Sequence, residues 1–519
     1  MNVEQSINFF MTKNENSVSE FSELSLFEIS PSLASFLPEE FCTSNEIVLL
    51  DNPSSKDTKK IRVGVLDIEN QELIAKAQEI IGEKIEPVQL NDYEIRKALS
   101  LIYNIEVDLN AGPNLQLSSS SEIDFSKDRS PNLILQDILS ISLQRRATDI
   151  HLENYNEDVD MRLRIDGVLH QVTTSLSPSN IQRVIACLKI VCDLDHLERK
   201  KSQDGRFSAQ YNDEQNSRRV DFRTSIVPGN YGQEAVIRVL DPQRFILDIN
   251  ELGMPVNILK SYKRIVNYPN GLILTTGPTS SGKTSTLYAT VRGLVKRGLK
   301  IMTAEDPIEY EMNKVNQKSV DEFMDFSDYI RSFLRQNPDV ILIGEIRDPK
   351  TAEIAIKAST TGHLVLSTLH TRSAIGTVSR LRSLGVPDDY ISENLLGVIG
   401  QRLVRKICEE CKEEDPQTQE MLSLFYDSKD NVKHYHGRGC KSCNDSGYKG
   451  MIGIYELFFP TKEISTAISV GSSVAELNHL AKDQGFTPLV DDALAKAHEG
   501  FTSLEEILLR IGPKFPHAN

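Results

Sequence analysis

Leu272-Ile-Leu-Thr-Thr-Gly-Pro-Thr-Ser-Ser-Gly-Lys-Thr284 carries an apolar run straight into a glycine loop. Residues Gly277, Pro278, Thr279, Ser280, Ser281, Gly282, Lys283 and Thr284 have the spacing G-x-x-x-x-G-K-[ST], that of a loop which cradles nucleotide phosphates. The surroundings have the order such a loop needs. Leu272, Ile273 and Leu274 read as a buried strand, and Leu287, Val291, Leu294 and Val295 recur at the spacing of one helix face. Backbone N–H groups at the helix N-terminus hold an anion, and glycine lets the backbone come close to it. Lys283 is placed for the β- and γ-phosphates of ATP and Thr284 for Mg²⁺, with Ser285 counted among the nucleotide-contacting residues.

A phosphate loop alone hydrolyses nothing; a carboxylate for metal and water, and positive charge for the transition state, are also needed. Asp339-Val-Ile-Leu-Ile-Gly-Glu345 is an apolar strand ending in a carboxylate. In a parallel sheet such strand ends face the ligand crevice, which puts Glu345 near Mg²⁺ and the attacking water. Lys300-Ile-Met-Thr-Ala-Glu-Asp-Pro307 is a second strand running into acids, and Glu305 is a further candidate base. Taken alone, that stretch reads first as a solvated acidic turn. Thr361-Gly-His-Leu-Val-Leu-Ser-Thr-Leu-His370 is a third strand, with His363 and His370 at its two ends, and both are candidate sensors of the γ-phosphate. Arg206, Arg223 and Arg238 crowd an earlier segment; without further information they read as surface charges.

At 519 residues the chain is long enough for three or four domains. It carries 39% hydrophobic and 25% charged residues and no Trp. No stretch approaches the ~20 apolar residues of a membrane span, and Met1-Asn-Val-Glu-Gln-Ser lacks the basic and apolar regions of a signal peptide. The cytosol is the expected location. A net charge of −16 disfavours non-specific nucleic-acid binding, which requires an excess of Lys and Arg against phosphates.

Of seven cysteines, Cys42, Cys187 and Cys192 are scattered. The other four form two C-x₂-C pairs, Cys408/Cys411 and Cys440/Cys443, the ligand set of a closed structural Zn²⁺ site. His434 and His436, between the pairs, are of a type that could replace a thiolate, but read first as exposed loop residues.

Composition and periodicity divide the chain further. Residues 1–20 read as a flexible N-terminus, 21–104 as a small α/β domain, and 105–130, with Gly112, Pro113 and Ser118 to Ser121, as a linker. Residues 131–242 read as a second α/β domain, 243–405 as the phosphate-loop domain, 406–460 as the tetracysteine module and 461–519 as a helical tail.

The whole pattern resembles the secretion ATPases that drive type II secretion and type IV pilus assembly. Ala147-Thr-Asp-Ile-His-Leu-Glu153, Arg162-Leu-Arg-Ile-Asp-Gly-Val168, the phosphate loop, Glu305 to Glu309, Gly344-Glu345, His363 to His370, Gln401-Arg-Leu-Val-Arg405, the tetracysteine module and Gly447-Tyr-Lys-Gly450 occur in the family's order. The resemblance implies a RecA-like ATPase domain and a homo-hexameric ring, with nucleotide between two domains of a subunit and Arg206 and Arg223 supplied to phosphate. It implies that 21–104 dock to the cytoplasmic domain of an inner-membrane secretion platform, so that the protein sits peripherally on the inner face of the bacterial inner membrane. The short first domain is more like the secretion branch than the pilus branch. Pilus extension, or a nucleotide-gated scaffold with little turnover, are the alternatives. Asn337, Arg372, Met451 and Gln233 depart from the residues usual in the family.

Overall fold

The computed structural model describes residues 29–514 except 30, 51–60, 67, 69, 91, 104–114, 119–129, 157, 214–216, 245–247, 417–418 and 427–432. The expected flexible segment 1–20 and most of the expected linker lie outside the described residues. Two compact units are present, Met1–Leu240 and Asp241–Asn519.

In the first unit, helices α1 (Glu39–Asn45), α2 (Gln71–Ile81) and α3 (Asp92–Tyr103) accompany a three-stranded sheet of β1 (Ile47–Leu49), β2 (Ile61–Val65) and β3 (Ile85–Gln89). Helix α2 begins where the Asn70 side chain accepts from the Leu73 N–H, and it ends at Gly82, whose φ of 78° suits glycine. Val48, Val63, Ile95 and Leu99 lie in the core of this part.

The rest of the unit comprises β4 (Leu115–Ser118), α4 (Pro131–Gln144), β5 (Asp149–Asn154), β6 (Val159–Ile165), β7 (Val168–Val172), α5 (Pro178–Val191), β8 (Gln203–Asn212), β9 (Ser217–Gly229) and β10 (Gly232–Leu240). The seven strands run in the order β4-β8-β9-β10-β5-β6-β7. Both helices start at a serine cap followed by proline, Ser130-Pro131 and Ser177-Pro178. Burial alternates along β8, β9 and β10, with Phe207 stacked on Phe222 in the core. One boundary needs correction. Leu115–Ser118, within the expected linker, pairs in parallel with Ala209–Asn212, because Leu115 and Leu117 bury their side chains in this core.

The second unit contains α6 (Val256–Val266), β11 (Gly271–Thr276), α7 (Lys283–Val295), β12 (Ile301–Glu305), β13 (Asn316–Ser319), α8 (Phe326–Phe333), β14 (Val340–Ile343), α9 (Pro349–Thr360), β15 (Leu364–Leu369), α10 (Gly376–Ser383), α11 (Asp388–Asn394) and β16 (Leu395–Ile407). After these come β17 (Lys412–Glu414), α12 (Gln419–Ser423), β18 (Tyr435–Gly437), β19 (Tyr448–Phe458) and helices α13 to α16 (Lys462–Ser469, Val474–Asp483, Leu489–His498, Leu504–Arg510). The main sheet has the order β13-β12-β14-β15-β11-β16-β19, parallel except for β19. Its central strands are buried along their full length, as expected for a parallel sheet covered on both faces. Ile273, Leu342 and Leu366 pack with Leu287 and Val291 of α7; Leu274, Ile341 and Val365 pack with the α8 and α9 side. The tetracysteine module is narrower than 406–460, since β16 and β19 on either side of it are strands of this sheet. Among the described residues no helix is long and apolar enough to cross a membrane.

Candidate active site

Four adjacent parallel strands bring chemistry to one edge. Strand β12 ends on Glu305, β14 runs into Gly344-Glu345, β15 into His370 and β11 into Gly277. The tips of β11 and β15 are tied together: the Thr371 N–H donates to Thr276 Oγ1 at 2.9 Å, and the two threonine hydroxyls lie 2.6 Å apart.

The loop from Gly277 to Gly282 wraps the Lys283 ammonium, which donates to the carbonyls of Gly277 and Pro278, each at 2.9 Å. Two glycines are obligatory by shape. At Gly277 (φ 155°) a Cβ would lie 2.4 Å from the Gln401 carbonyl, and at Gly282 (φ 85°) 2.6 Å from Gln401 Nε2. The buried Ser281 hydroxyl has no protein partner. Burial pushes the Lys283 ammonium down to about 8 despite the pull of Glu345, with Arg402 adding repulsion. A buried cation among glycine backbone and an unpaired hydroxyl fits an incoming phosphate.

Glu345 is held rigidly. On either side of it Gly344 N–H donates to Ala304 O at 2.8 Å and Ile346 N–H to Thr368 O at 3.0 Å. Its carboxylate forms an ion pair with Arg347, and His370 Nε2 stands 3.6 Å from its other oxygen. Partial burial and then the Lys283 charge lower the His370 pKa, against the pull of Glu345, so the ring is neutral at pH 7. Glu345 and Thr284 fit a Mg²⁺ ion in donor chemistry, both offering hard oxygens.

Glu305 reaches the same edge in a different state. It is buried and accepts from Tyr288 Oη, from Thr303 Oγ1 at 2.5 Å and from Gln317 Nε2 at 3.1 Å. Three of the roughly four acceptor positions of a carboxylate are thus engaged.

His363 is not brought to this edge. It precedes β15 whereas His370 follows it, and seven residue steps of strand span about 23 Å. Its Nδ1 lies 3.0 Å from Ala358 O, and it lines a cleft of about 600 Å³ with Tyr268, Arg297 and Arg335 at the opposite edge. Within its own chain His363 therefore lies at the end of β15 opposite His370 and the phosphate loop. Arg206, Arg223 and Arg238 are direct partners across β8, β9 and β10, so their side chains form one row on the face opposite Phe207 and Phe222. Asp149 continues the row, 3.2 Å from Arg238 Nε. These residues belong to the first compact unit, and the loop and strand tips to the second.

Several residues at this edge escaped the sequence reading. Gln401 and Arg402, read only as the approach to the cysteines, lie on β16 against the loop. The Thr286 hydroxyl donates to Gln401 Oε1 at 2.8 Å, and Arg402 donates to the carbonyls of Gln401 and Arg372 at 2.9 and 3.1 Å. A hydrophobic pattern cannot report that β16 neighbours β11. Tyr288 was hidden by its place on an apolar helix face; Arg347 had a legible signal, two residues beyond Glu345 at the same strand end.

The second site is the tetracysteine cluster. Sγ atoms stand 3.9 Å apart in the pairs Cys408/Cys440 and Cys411/Cys443, and 3.7 Å apart in Cys440/Cys443. Zn–S bonds of 2.3 Å in tetrahedral array imply S···S edges of about 3.8 Å. Cys443 Sγ also accepts from the N–H groups of Cys440 and Gly447, at 3.2 and 3.3 Å. The four cysteines therefore fit Zn²⁺ without a histidine, and they form the group by themselves among the described residues. The histidines are not exposed as expected: His434 is buried beside Tyr426, and His436 is half-buried, 3.2 Å from Glu413.

A glycine loop between a buried strand and a helix, on a parallel sheet with acid-tipped neighbours, defines a P-loop nucleotide-binding protein. Within that class the chain belongs to the type II/IV secretion system protein family, which it matches over residues 126–509, and residues 19–108 match the MshEN domain. It is 34% identical over 494 residues to the type II secretion system ATPase E of Vibrio cholerae, covering 91% of this chain and 96% of that one. It is also 34% identical over 510 residues to the type IV pilus assembly ATPase PilB of Myxococcus xanthus, covering 94% and 88%. Among solved structures, the pilus retraction motor PilT with bound ADP aligns at a TM-score of 0.50 and 26% identity, over 72% of this chain and 96% of that one.

Proposed function

We propose that this chain is an ATP-hydrolysing motor that powers pseudopilus assembly for type II protein secretion, working as a homo-hexamer at the inner face of the inner membrane. The observation that carries the reading is the convergence of the phosphate loop, Glu345 and His370 on one sheet edge. The match to this chain spans 96% and 97% of two type II secretion relatives, against 88% of the PilB relative, which supports the secretion reading over the pilus one.

The chemistry follows from the side chains. The loop amides and Lys283 hold the β- and γ-phosphates of ATP and neutralise their charge. Thr284 and Glu345 would hold Mg²⁺, whose chemistry when bound would be Lewis-acid polarisation of the phosphates. Glu345, fixed on its strand, orients the attacking water and accepts its proton. Neutral His370 donates a hydrogen bond to the γ-phosphate and loses that partner after hydrolysis. Glu305, saturated by Tyr288, Thr303 and Gln317, positions α7 rather than acting as the base. Arg206 and Arg223, which the resemblance to the secretion ATPases assigns to phosphate, supply positive charge to the transferring phosphoryl group. Residues 21–104 pass the motor's motion to the cytoplasmic domain of a membrane platform. Four cysteines holding Zn²⁺ brace the turn between β16 and β19.

Purified chain assayed across protein concentration tests this reading. Specific ATPase activity should rise with concentration as rings assemble, and Arg206→Ala should lose turnover while still binding ATP. Nucleotide binding without turnover at every concentration, with the platform's cytoplasmic domain added, would identify a scaffold instead.

A further inference from the structure

The phosphate loop has a backbone that needs support from outside. Gly277 (φ 155°), Ser280 (φ 60°) and Gly282 (φ 85°) all have positive φ, and Ser280 adopts it with a side chain attached. A non-glycine residue persists in that region where its surroundings fix it. The Lys283 bonds to the Gly277 and Pro278 carbonyls are no lasting support, because an ammonium that turns to phosphate gives them up. Gln401 touches the loop at both ends. It is 1% exposed on β16, with its carbonyl against Gly277 and its side-chain amide against Gly282, as the 2.4 and 2.6 Å approaches to a Cβ at either glycine show. Strand pairing fixes its backbone, with Gly400 opposite Thr276 of β11 and Gln401 opposite Tyr455 of β19. Arg402 donates to its carbonyl at 2.9 Å. Thr286, in the first turn of α7, donates to its Oε1 at 2.8 Å, which leaves Nε2 facing Gly282.

We infer that Gln401 is a positioning residue for nucleotide binding, which braces both ends of the phosphate loop against β16 and ties them to the first turn of α7 without itself touching the nucleotide. A loop held in its binding shape loses little freedom when phosphate arrives. Without the brace that ordering falls on the binding step, and the loss is shared by every nucleotide with a β-phosphate. Glu345 and His370 follow β14 and β15, and their placement does not run through β16. The loss is therefore one of uniform binding, which raises KM more than it lowers kcat. The inference rests on the reading of this edge as the ATPase site.

The test is a pair of substitutions and their combination, read by calorimetry. Gln401→Leu keeps the bulk of the side chain and removes its amide. Affinities for Mg-ADP and for the non-hydrolysable Mg-AMP-PNP should each fall at least tenfold, by factors within threefold of each other. KM for ATP should rise at least tenfold, with kcat lowered no more than threefold. Thr286→Val removes the hydroxyl alone and should weaken Mg-ADP three- to fivefold, which keeps the test open if the leucine variant folds poorly. The double variant should bind Mg-ADP within twofold of Gln401→Leu, because both changes break one bond. A loss confined to AMP-PNP, a kcat that falls further than KM rises, additive losses in the double variant, or Mg-ADP affinity unchanged in either single variant overturns the inference. Wild-type chain that binds no Mg-ADP overturns the reading of the edge itself, so the two failures are distinct.

Discussion

Raising the pH from 7.5 to 9 should weaken Mg-ADP binding about eightfold through one ammonium group. Lys283 is buried against the carbonyls of Gly277 and Pro278, and burial holds its pKa at about 8 instead of the usual 10.5. With a pKa of about 8, roughly three quarters of the chains carry the charged form at pH 7.5 and roughly a tenth at pH 9. A bound phosphate favours the ammonium, so its pKa rises in the complex and binding takes up protons. The sign follows: a base depressed in the free protein and raised in the complex gives an affinity that falls as pH climbs through about 8. At pH 8 about half a proton should be taken up per nucleotide. Isothermal titration calorimetry in two buffers of different ionisation enthalpy reads both quantities. Lys283→Arg, charged throughout, should bind more weakly but with a flat profile over this range. A wild-type affinity that is constant between pH 7.5 and 9, with no proton uptake, would refute the reasoning.

Other consequences can be checked independently. Tyr288→Phe removes one donor from the buried Glu305 carboxylate and should cost about 1–3 kcal/mol of local stability, read as faster hydrogen exchange in α7. Steady-state kinetics should show a lower kcat with little change in KM. Metal analysis of the wild type should return one Zn²⁺ per chain, and Cys443→Ser should abolish that binding and open the segment between β16 and β19 to protease. Arg405→Ala leaves the fully buried Glu506 with Arg510 as its remaining cation, so the loss should fall at the low end of the usual range, about 3 kcal/mol. Exchange at α16 should report it.

How much was legible depended on whether the information was local. The loop, its strand and its helix could be read from adjacent residues, and the apolar runs ending in Glu305, Glu345 and His370 announced three more strands of a parallel sheet. Parallelism alone then predicts that these tips share an edge, and they do. It also places His363 apart from His370: a residue at the start of a parallel strand lies at the far edge, a constraint present in the sequence but outweighed by the symmetry of a histidine at each end. Gln401 and Arg402 were not legible as part of the cradle, because their contact with the loop spans more than a hundred residues and depends on which strand lies beside β11. The state of Glu305 was equally hidden, since Tyr288 and Gln317 reach it from a helix and an edge strand. The linker was misjudged where Leu115 and Leu117, two apolar residues in a polar stretch, add a strand to a sheet already complete in its alternation.

The most direct test of the central claim is the turnover and ATP affinity of Glu345→Gln beside the wild type, at a concentration where the wild type is most active. The account predicts unchanged or tighter ATP binding and at least a 100-fold loss of hydrolysis, because the substitution keeps the side chain's shape and removes the base. Hydrolysis within threefold of the wild type would contradict it and move the chemistry away from this strand tip.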